Sequence, residues 1–379
     1  MSLHIPEFPF DSSLTMAVFD LERLRGDLAM TDTDPELLGQ IHQVLQLVTS
    51  MTSARIEGNR TTVLDVVTEK EQSDGFQYSD SVQEIINLEK ASEFIDEHVE
   101  PGVPLTQMFI RELHRIAVEG LETEGDRTPG SYRTMPVAIS GAKHVPPGPD
   151  LIPLLMGELA DFINAERPGN LDLVATAVSH HRFLWIHPFG NGNGRVARLL
   201  TYAVLVQQGF TQTTSFRALN PTAVFGADRE RYYEHLADAD TYQDIGLVRW
   251  CEYVLLGLRD DLTRVKSLGE ASFVRARVLL PAIDRLLRSA QISVPEAAAL
   301  STVAERGIVK ASHLAEVFPG SSSTRSQLIR GLVDRRLLGR LPESPRSYRL
   351  RLDAGPLVLT VIGQLEELGF VPAIMRGAI

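Results

Sequence analysis

The chain has almost no cysteine: Cys251 is alone among 379 residues. A disulfide-held scaffold is therefore excluded, and a single thiol fits a reducing compartment, so a cytoplasmic location is expected. Long apolar runs are missing as well. Leu199–Val206 is among the longest, and Gln207 closes it, well short of the ~18–20 residues that span a bilayer. The opening MSLHIPEFPFD has no basic stretch followed by an apolar one, so neither a secretory leader nor a membrane partner is expected. The 28 glycines have no period, and no internal repeat or low-complexity tract is present. Positive charge is in short supply: 37 Lys and Arg against 49 Asp and Glu give a net charge of −12. That balance argues against a protein that coats nucleic acid or anionic lipid over its whole surface. What remains, 44% hydrophobic and 23% charged residues, is the composition of a soluble globular chain, long enough for two or three domains.

Strand signals are rare and helical spacing is common, so the fold class expected is mainly α. After an extended start, Phe19–Leu28 reads as a short helix. Asp34-Pro35 opens a longer one, with Leu37, Leu38, Ile41, Val44, Leu45 and Val48 on one face and Gly58-Asn59 as its stop. Further helices are expected over Ser81–Glu97, Thr106–Val118, Leu151–Ala165, Leu171–Ile186, Arg195–Gln208, Ala227–Leu236 and Leu247–Leu262. Between Thr128 and Asp150 the pattern changes: glycines and prolines surround Val137-Ala138-Ile139, which reads as a short β-hairpin.

The informative stretch is His187-Pro188-Phe189-Gly190-Asn191-Gly192-Asn193-Gly194-Arg195-Val196-Ala197-Arg198. Closely spaced glycines between two helices let the backbone approach a ligand with its N–H groups inward. The following helix adds its free N–H groups and the positive end of its dipole. Arg195 and Arg198 sit in its first turn, where the dipole disfavours a cation by ~0.3–1 kcal/mol. An anion between them supplies the missing charge, and a polyphosphate is the natural candidate. His187 stands beside this cradle with an ordinary pKa of ~6.5, suited to a general base. A base next to a phosphate site implies attack by a hydroxyl on phosphorus. No GxxxxGK[ST] occurs, and although Gly192, Gly194 and Ala197 fit a loose GxGxxA, that fingerprint must follow a strand whereas a helix precedes it here. His180, His181 and His187 lack acidic or cysteine partners at ligand spacing, so zinc is not expected. Cys251 reads as a buried thiol, and Tyr132 and Arg133 as structural.

Residues 187–198 resemble the Fic family signature HxFx[D/E]GNGRxxR at all seven fixed positions. Chance agreement there is roughly one in 10⁹ per site, so the resemblance is specific. It implies a helical core and transfer of AMP from ATP to a Ser, Thr or Tyr hydroxyl of a protein. It further implies that His187 deprotonates that hydroxyl, that Gly192, Asn193 and Gly194 form the anion hole, and that Arg195 and Arg198 hold the β- and γ-phosphates while Phe189 anchors the loop. One position departs. Asn191 stands where the family has Asp or Glu to help hold Mg²⁺, so the metal is held, if at all, by a neutral amide oxygen. Val137-Ala138-Ile139 resembles the family's flap, which docks the target segment by strand addition. Ser53-Ala54-Arg55-Ile56-Glu57-Gly58 is similar to the inhibitory [S/T]xxxE[G/N] motif. That likeness implies that Glu57, with Ser53, occupies Arg198 against the γ-phosphate. Reverse activity and self-modification are compatible with the same likeness.

Toward the end of the chain the charge inverts. From Glu305 to Arg351, ten basic residues face four acidic ones, a net of +6 that leaves −18 for the rest. Val309–Phe318 reads as a helix, Pro319-Gly320 as a turn, Ser322–Arg336 as a second helix, and Leu338–Leu341 and Tyr348–Leu352 as strands. This pattern resembles a winged helix-turn-helix, with DNA or a protein as its partner. The expected organisation is an N-terminal helical region with the inhibitory segment (1–104), a Fic-type core with its β-hairpin flap (105–262), connecting helices (263–295), a small winged-helix domain (296–353) and a last helix (354–379). The competing reading is a DNA-binding regulator whose core only binds nucleotide. The target protein and the oligomeric state, a homo-oligomer included, are left open.

Overall fold

The computed structural model describes residues 3–27, 31–72, 78–210, 221–241, 243–319 and 321–378. Helices α1 (Ser13–Asp27), α2 (Pro35–Glu57), α3 (Val63–Gln72), α4 (Asp80–His98) and α5 (Gln107–Val118) precede a long irregular stretch. After it come α6 (Ile152–Asn164), α7 (Asp172–Ile186), α8 (Asn193–Gln207), α9 (Pro221–Ala227), α10 (Arg229–Ala239) and α11 (Asp244–Lys266). α12 (Ala271–Phe273) continues through a π-helical turn into α13 (Leu280–Arg288), followed by α14 (Val294–Arg306). The last segment adds β1 (Val309–Lys310), α15 (Ser322–Asp334), β2 (Leu338–Leu341), β3 (Ser344–Leu350) and α16 (Pro356–Glu367). The fold is mainly helical, as the periodicity predicts, with one antiparallel sheet ordered β1-β3-β2.

Local chemistry sets the helix ends. The Asp34 carboxylate accepts the N–H groups of Glu36 and Leu37, each at 3.1 Å, and Pro35 fills the first turn. Gly58 closes α2 in the left-handed conformation at φ 116°. Around α8 the packing is central: Val196, Ala197, Leu200, Ala203 and Val204 are essentially inaccessible, and the helix lies against α2, α4, α5, α7 and α9. A helix buried on every side belongs in a core, and that fixes the loop preceding it.

Several elements differ from expectation. α1 begins at Ser13 rather than Phe19, because the Ser12 hydroxyl caps Thr15 N–H at 3.2 Å and starts the helix early. α3 was not foreseen; Thr62 and Asp65 cap each other reciprocally, a signal within the sequence. α9 was also missed, and α11 runs on to Lys266. Val309–Lys310 is a strand instead of the start of a helix: buried Val309 pairs with Tyr348, and only Ala311–Leu314 coils into a 3₁₀ turn. Val137–Ile139 carries no strand pairing; the hairpin is reduced to a turn closed by Ala142 N–H on the Ile139 carbonyl at 3.2 Å. Pro136, Pro146 and Pro147 in its arms cannot donate ladder bonds. Leu28 and Gly320, expected in a helix and a turn, lie outside the described residues.

Candidate functional site

Residues 187–192 join α7 to α8 as a tight loop fixed by its own side chains. His187 ends α7 in the left-handed region (φ 51°, ψ 61°) with its N–H on the Phe183 carbonyl at 3.0 Å. Such a conformation in a residue other than glycine is held by its surroundings and is common at functional sites. Phe189 is fully buried and stacks on His114, ring centroids 3.8 Å apart. Asn193 staples the loop: its carbonyl oxygen accepts Phe189 N–H at 3.0 Å and its amide donates to the Phe189 carbonyl at 2.9 Å. Its side chain therefore belongs to the scaffold, leaving the backbone to face a ligand. Gly192, at φ 76°, begins α8 in a spot where a Cβ would come within 2.8 Å of Val118.

The C-terminal end of α2, with Ser53 and Glu57, meets this loop. Glu57, the last residue of α2, puts Oε1 2.7 Å from the Arg198 guanidinium. The same oxygen lies 2.1 Å from where a Cβ on Gly194 would stand. A carboxylate thus rests on the first turn of α8, where a helix N-terminus attracts anions. Arg198 also donates from Nε to the Ser53 hydroxyl at 2.8 Å and from Nη2 to the Ser53 carbonyl at 3.0 Å. Burial opposes the charge on Glu57, but Arg198 outweighs it and Arg195 and Arg229 add to the pull, so the carboxyl is held below its usual range.

Arg195 is engaged differently from Arg198. Its guanidinium donates to buried Glu84 of α4 at 2.9 Å and to the Glu124 carbonyl at 2.7 Å. The two arginines therefore answer to different carboxylates. Burial raises the Glu84 carboxyl against the opposing pull of Arg195.

For His187, burial is the main cause that lowers the pKa to about 4, and Arg133 adds to it. The imidazole is neutral at pH 7 and able to accept a proton. Arg133 joins the arm before the turn to the loop: it donates to the carbonyls of His187 (2.8 Å), Met135 (3.0 Å) and Pro147 (2.6 Å). Its role is structural, as expected, and so is that of Tyr132, whose hydroxyl bonds Gln107 at 3.0 Å. Val137 and Ile139 are half-buried and Ala138 is exposed.

Position 191 carries a neutral amide with one acceptor lone pair already engaged. The Asn191 amide oxygen already accepts Gly192 N–H at 2.7 Å, while its amide nitrogen donates to the Gly125 carbonyl at 3.2 Å. The backbone is held from both sides, by Asp126 on the N–H (3.0 Å) and by His114 Nε2 on the carbonyl (3.1 Å). Among the described residues no three His, Cys, Asp or Glu side chains converge as metal ligands. His180 is a core histidine: Thr201 donates its hydroxyl to Ala197, so His180 Nδ1–H bonds Thr201 at 2.7 Å and Nε2 accepts from Tyr232 at 2.9 Å. Cys251 is buried, which pushes its thiol up.

Sequence reasoning missed Glu84, His114, Asp126 and Arg229. Arg229 donates to the Ile56 carbonyl at 2.8 Å and so fixes the last turn of α2 beside Glu57. Glu84 left a signal: a carboxylate between Val82 and Ile85-Ile86 on a helix needs a buried partner.

Residues 104–205 match the Fic/DOC family. Protein adenylyltransferase Fic of Drosophila grimshawi is 31% identical over 188 residues, covering 48% of this chain and 36% of the relative. The protein of the same name from Drosophila melanogaster is 30% identical over 48% of this chain and 35% of its own length. The chain thus spans little more than a third of the relatives it matches. Among solved structures, a Fic family protein from Desulfovibrio desulfuricans has a TM-score of 0.56 at 22% identity, over 92% of this chain and 98% of that one. A Fic domain containing signaling protein from Bacteroides thetaiotaomicron gives 0.53 at 22% identity, over 68% of this chain and 97% of its own.

Proposed function

From the match of residues 104–205 to the Fic/DOC family we propose that the chain transfers AMP from ATP to a Ser, Thr or Tyr hydroxyl of a protein, restrained by Glu57. The reading rests above all on one observation: a carboxylate lies against Arg198 and the first turn of α8, the spot suited to a phosphate. In the reaction the hydroxyl oxygen attacks the α-phosphorus, the bond to the β-phosphate oxygen breaks, and pyrophosphate leaves. Neutral His187 takes the hydroxyl proton. The backbone N–H groups of Asn193 and Gly194 and the Arg198 guanidinium hold the phosphates, and the Gly192 N–H joins them by leaving the Asn191 amide oxygen. Arg195 joins them only by loosening its pair with Glu84. The segment Val137–Ile139, lacking strand partners, receives the target as an added strand.

Mg²⁺ accompanying the nucleotide would neutralise phosphate charge, and the remaining lone pair of the Asn191 amide oxygen would offer it a neutral ligand. The target is a protein hydroxyl, this chain's own included, and removal of AMP falls within the same chemistry. A cytoplasmic setting suits the lone thiol, and no helix among the described residues is long and apolar enough to cross a membrane.

The test is mass spectrometry of the Glu57→Gly protein incubated with ATP and Mg²⁺. A mass gain of one AMP, absent in Glu57→Gly/His187→Ala, supports the reading; nucleotide binding without incorporation overturns it. That second outcome favours a DNA-binding regulator. The feature in its favour is the exposed set Lys310, Arg330, Arg340 and Arg346 on a winged-helix-like arrangement of α14, α15 and the β2–β3 hairpin. A mobility shift on duplex DNA at low salt, lost in Arg330→Ala/Arg346→Ala, tests it.

A further inference from the structure

The basic segment near the end of the chain does not spend all its charge on solvent. Arg349 of β3 pairs with Glu36 in the first turn of α2 at 2.7 Å, and Arg336 pairs with Glu71 of α3 at 2.9 Å. Glu71 also accepts Gly355 N–H at 3.2 Å. Between these ion pairs lies a buried hydrogen bond: Leu352 N–H donates to Gln40 Oε1 at 2.7 Å, with Leu352 fully buried and Gln40 8% exposed. The charge inversion along the sequence is therefore in part self-complementarity, a basic segment seated on acidic helices of the same chain.

The segment after α16 grips the other end of α2. Residues Ala373–Met375 pack against α2 and α9. Around Gly226 of α9, a Cβ would meet Thr52 at 2.4 Å and Ile374 at 3.2 Å, so α2, α9 and this segment interlock there. Val63, opening α3, donates its N–H to the Ala378 carbonyl at 2.7 Å. α2 is continuous from Pro35 to Glu57. A helix rises 1.5 Å per residue, so Gln40 and Glu57 are the two ends of a rod of roughly 25 Å.

We propose that residues 336–378 act as a clamp on α2, with Gln40 and Glu36 as positioning residues that hold Glu57 on Arg198 and so set the strength of inhibition. The proposal rests on the inhibitory reading of Glu57 for its functional half; its structural half, a hold on α2, stands by itself. Both Glu57 and the clamp bias one rigid element, the physical requirement for coupling between distant places. Whatever draws residues 336–378 away from α2 lifts Glu57 from the anion cradle.

The test pairs hydrogen exchange with AMP incorporation in the full chain. Gln40→Leu removes the acceptor and leaves buried Leu352 N–H unpaired, a defect large enough to raise exchange in residues 50–57 at least about fivefold. Incorporation should rise several-fold, with no further gain when Gln40→Leu is combined with Glu57→Gly. Glu36→Arg should act in the same direction, and the swap Glu36→Arg/Arg349→Glu should restore wild-type exchange, which a merely damaged fold would not do. Unchanged exchange in residues 50–57 in both single variants overturns the clamp. Raised exchange with unchanged incorporation, while Glu57→Gly does activate, overturns its link to inhibition. If Glu57→Gly fails to activate, the inhibitory reading falls and the exchange result alone decides whether the clamp exists.

Discussion

Replacing Glu57 by glycine perturbs one interaction whose size follows from the geometry. The carboxylate makes a 2.7 Å charge-assisted bond to a guanidinium that is 1% exposed. Such a bond contributes about 1.5–3 kcal/mol net, and a negative charge on a helix N-terminus adds about 0.3–1 kcal/mol. A triphosphate that needs Arg198 and the space above Gly194 must displace the carboxylate, at a cost of roughly 2–4 kcal/mol. With tenfold per 1.4 kcal/mol, that is about 30- to 1,000-fold in the population of the productive pose. Glu57→Gly should therefore raise AMP incorporation from labelled ATP within that range at subsaturating nucleotide. Ser53 remains to orient Arg198, so the released guanidinium stays in place. A rate within twofold of wild type would refute the reasoning. So would incorporation that survives in Glu57→Gly/His187→Ala, because the imidazole would then not be the base. A further control is Gly194→Ala in the Glu57→Gly background, whose methyl fills the vacated space and should abolish the gain.

Four other outcomes are expected. For His187, with its pKa lowered to about 4, the base is neutral down to that pH, so the acid limb of kcat/KM in Glu57→Gly should fall near 4, not near the ordinary 6.5. The same depression makes folding stability decline as pH drops from about 6.5 toward 4, because the unfolded chain takes up the proton first. Glu84→Ala removes the buried partner of the Arg195 guanidinium, 1% exposed, leaving it Glu124 alone, and should cost up to about 3–5 kcal/mol of stability, measured by urea unfolding; Glu84→Gln should cost less. Asn191→Asp sets a carboxylate against the Gly125 carbonyl and Glu124, so it should lower Tm without Mg²⁺. Added Mg²⁺ should restore the Tm and raise transfer at limiting metal, and equal Tm values and rates across a metal titration would count against a metal role for this position.

Much of the helical fold was legible because its signals are local. Asp34-Pro35 and Gly58 mark the ends of α2 by hydrogen bonds that span a few residues. The early start of α1 and the existence of α3 hang on hydroxyl caps at Ser12 and Thr62, which weak apolar periodicity masked. Val309 went astray for the opposite reason. A two-residue strand has no period to read, and only pairing with Tyr348 makes it one. At Val137–Ile139 the glycines and prolines that suggested a hairpin mark a turn without strand pairing.

The sequence by itself determined where the loop between α7 and α8 lies, since glycines, Asn193 and both arginines fall within one short run, while Asp126, His114 and Arg133 hold its backbone from afar. Tertiary structure alone decided which charge each arginine meets. Arg198 finds Glu57 from 141 residues away, Arg195 finds Glu84 from 111, and Leu352 finds Gln40 from 312. Helical periodicity says which face of a helix is buried, but not which other helix covers it. A buried guanidinium must be paired wherever its carboxylate lies in the chain, and only the packing of α2 and α4 around α8 brings those carboxylates within reach.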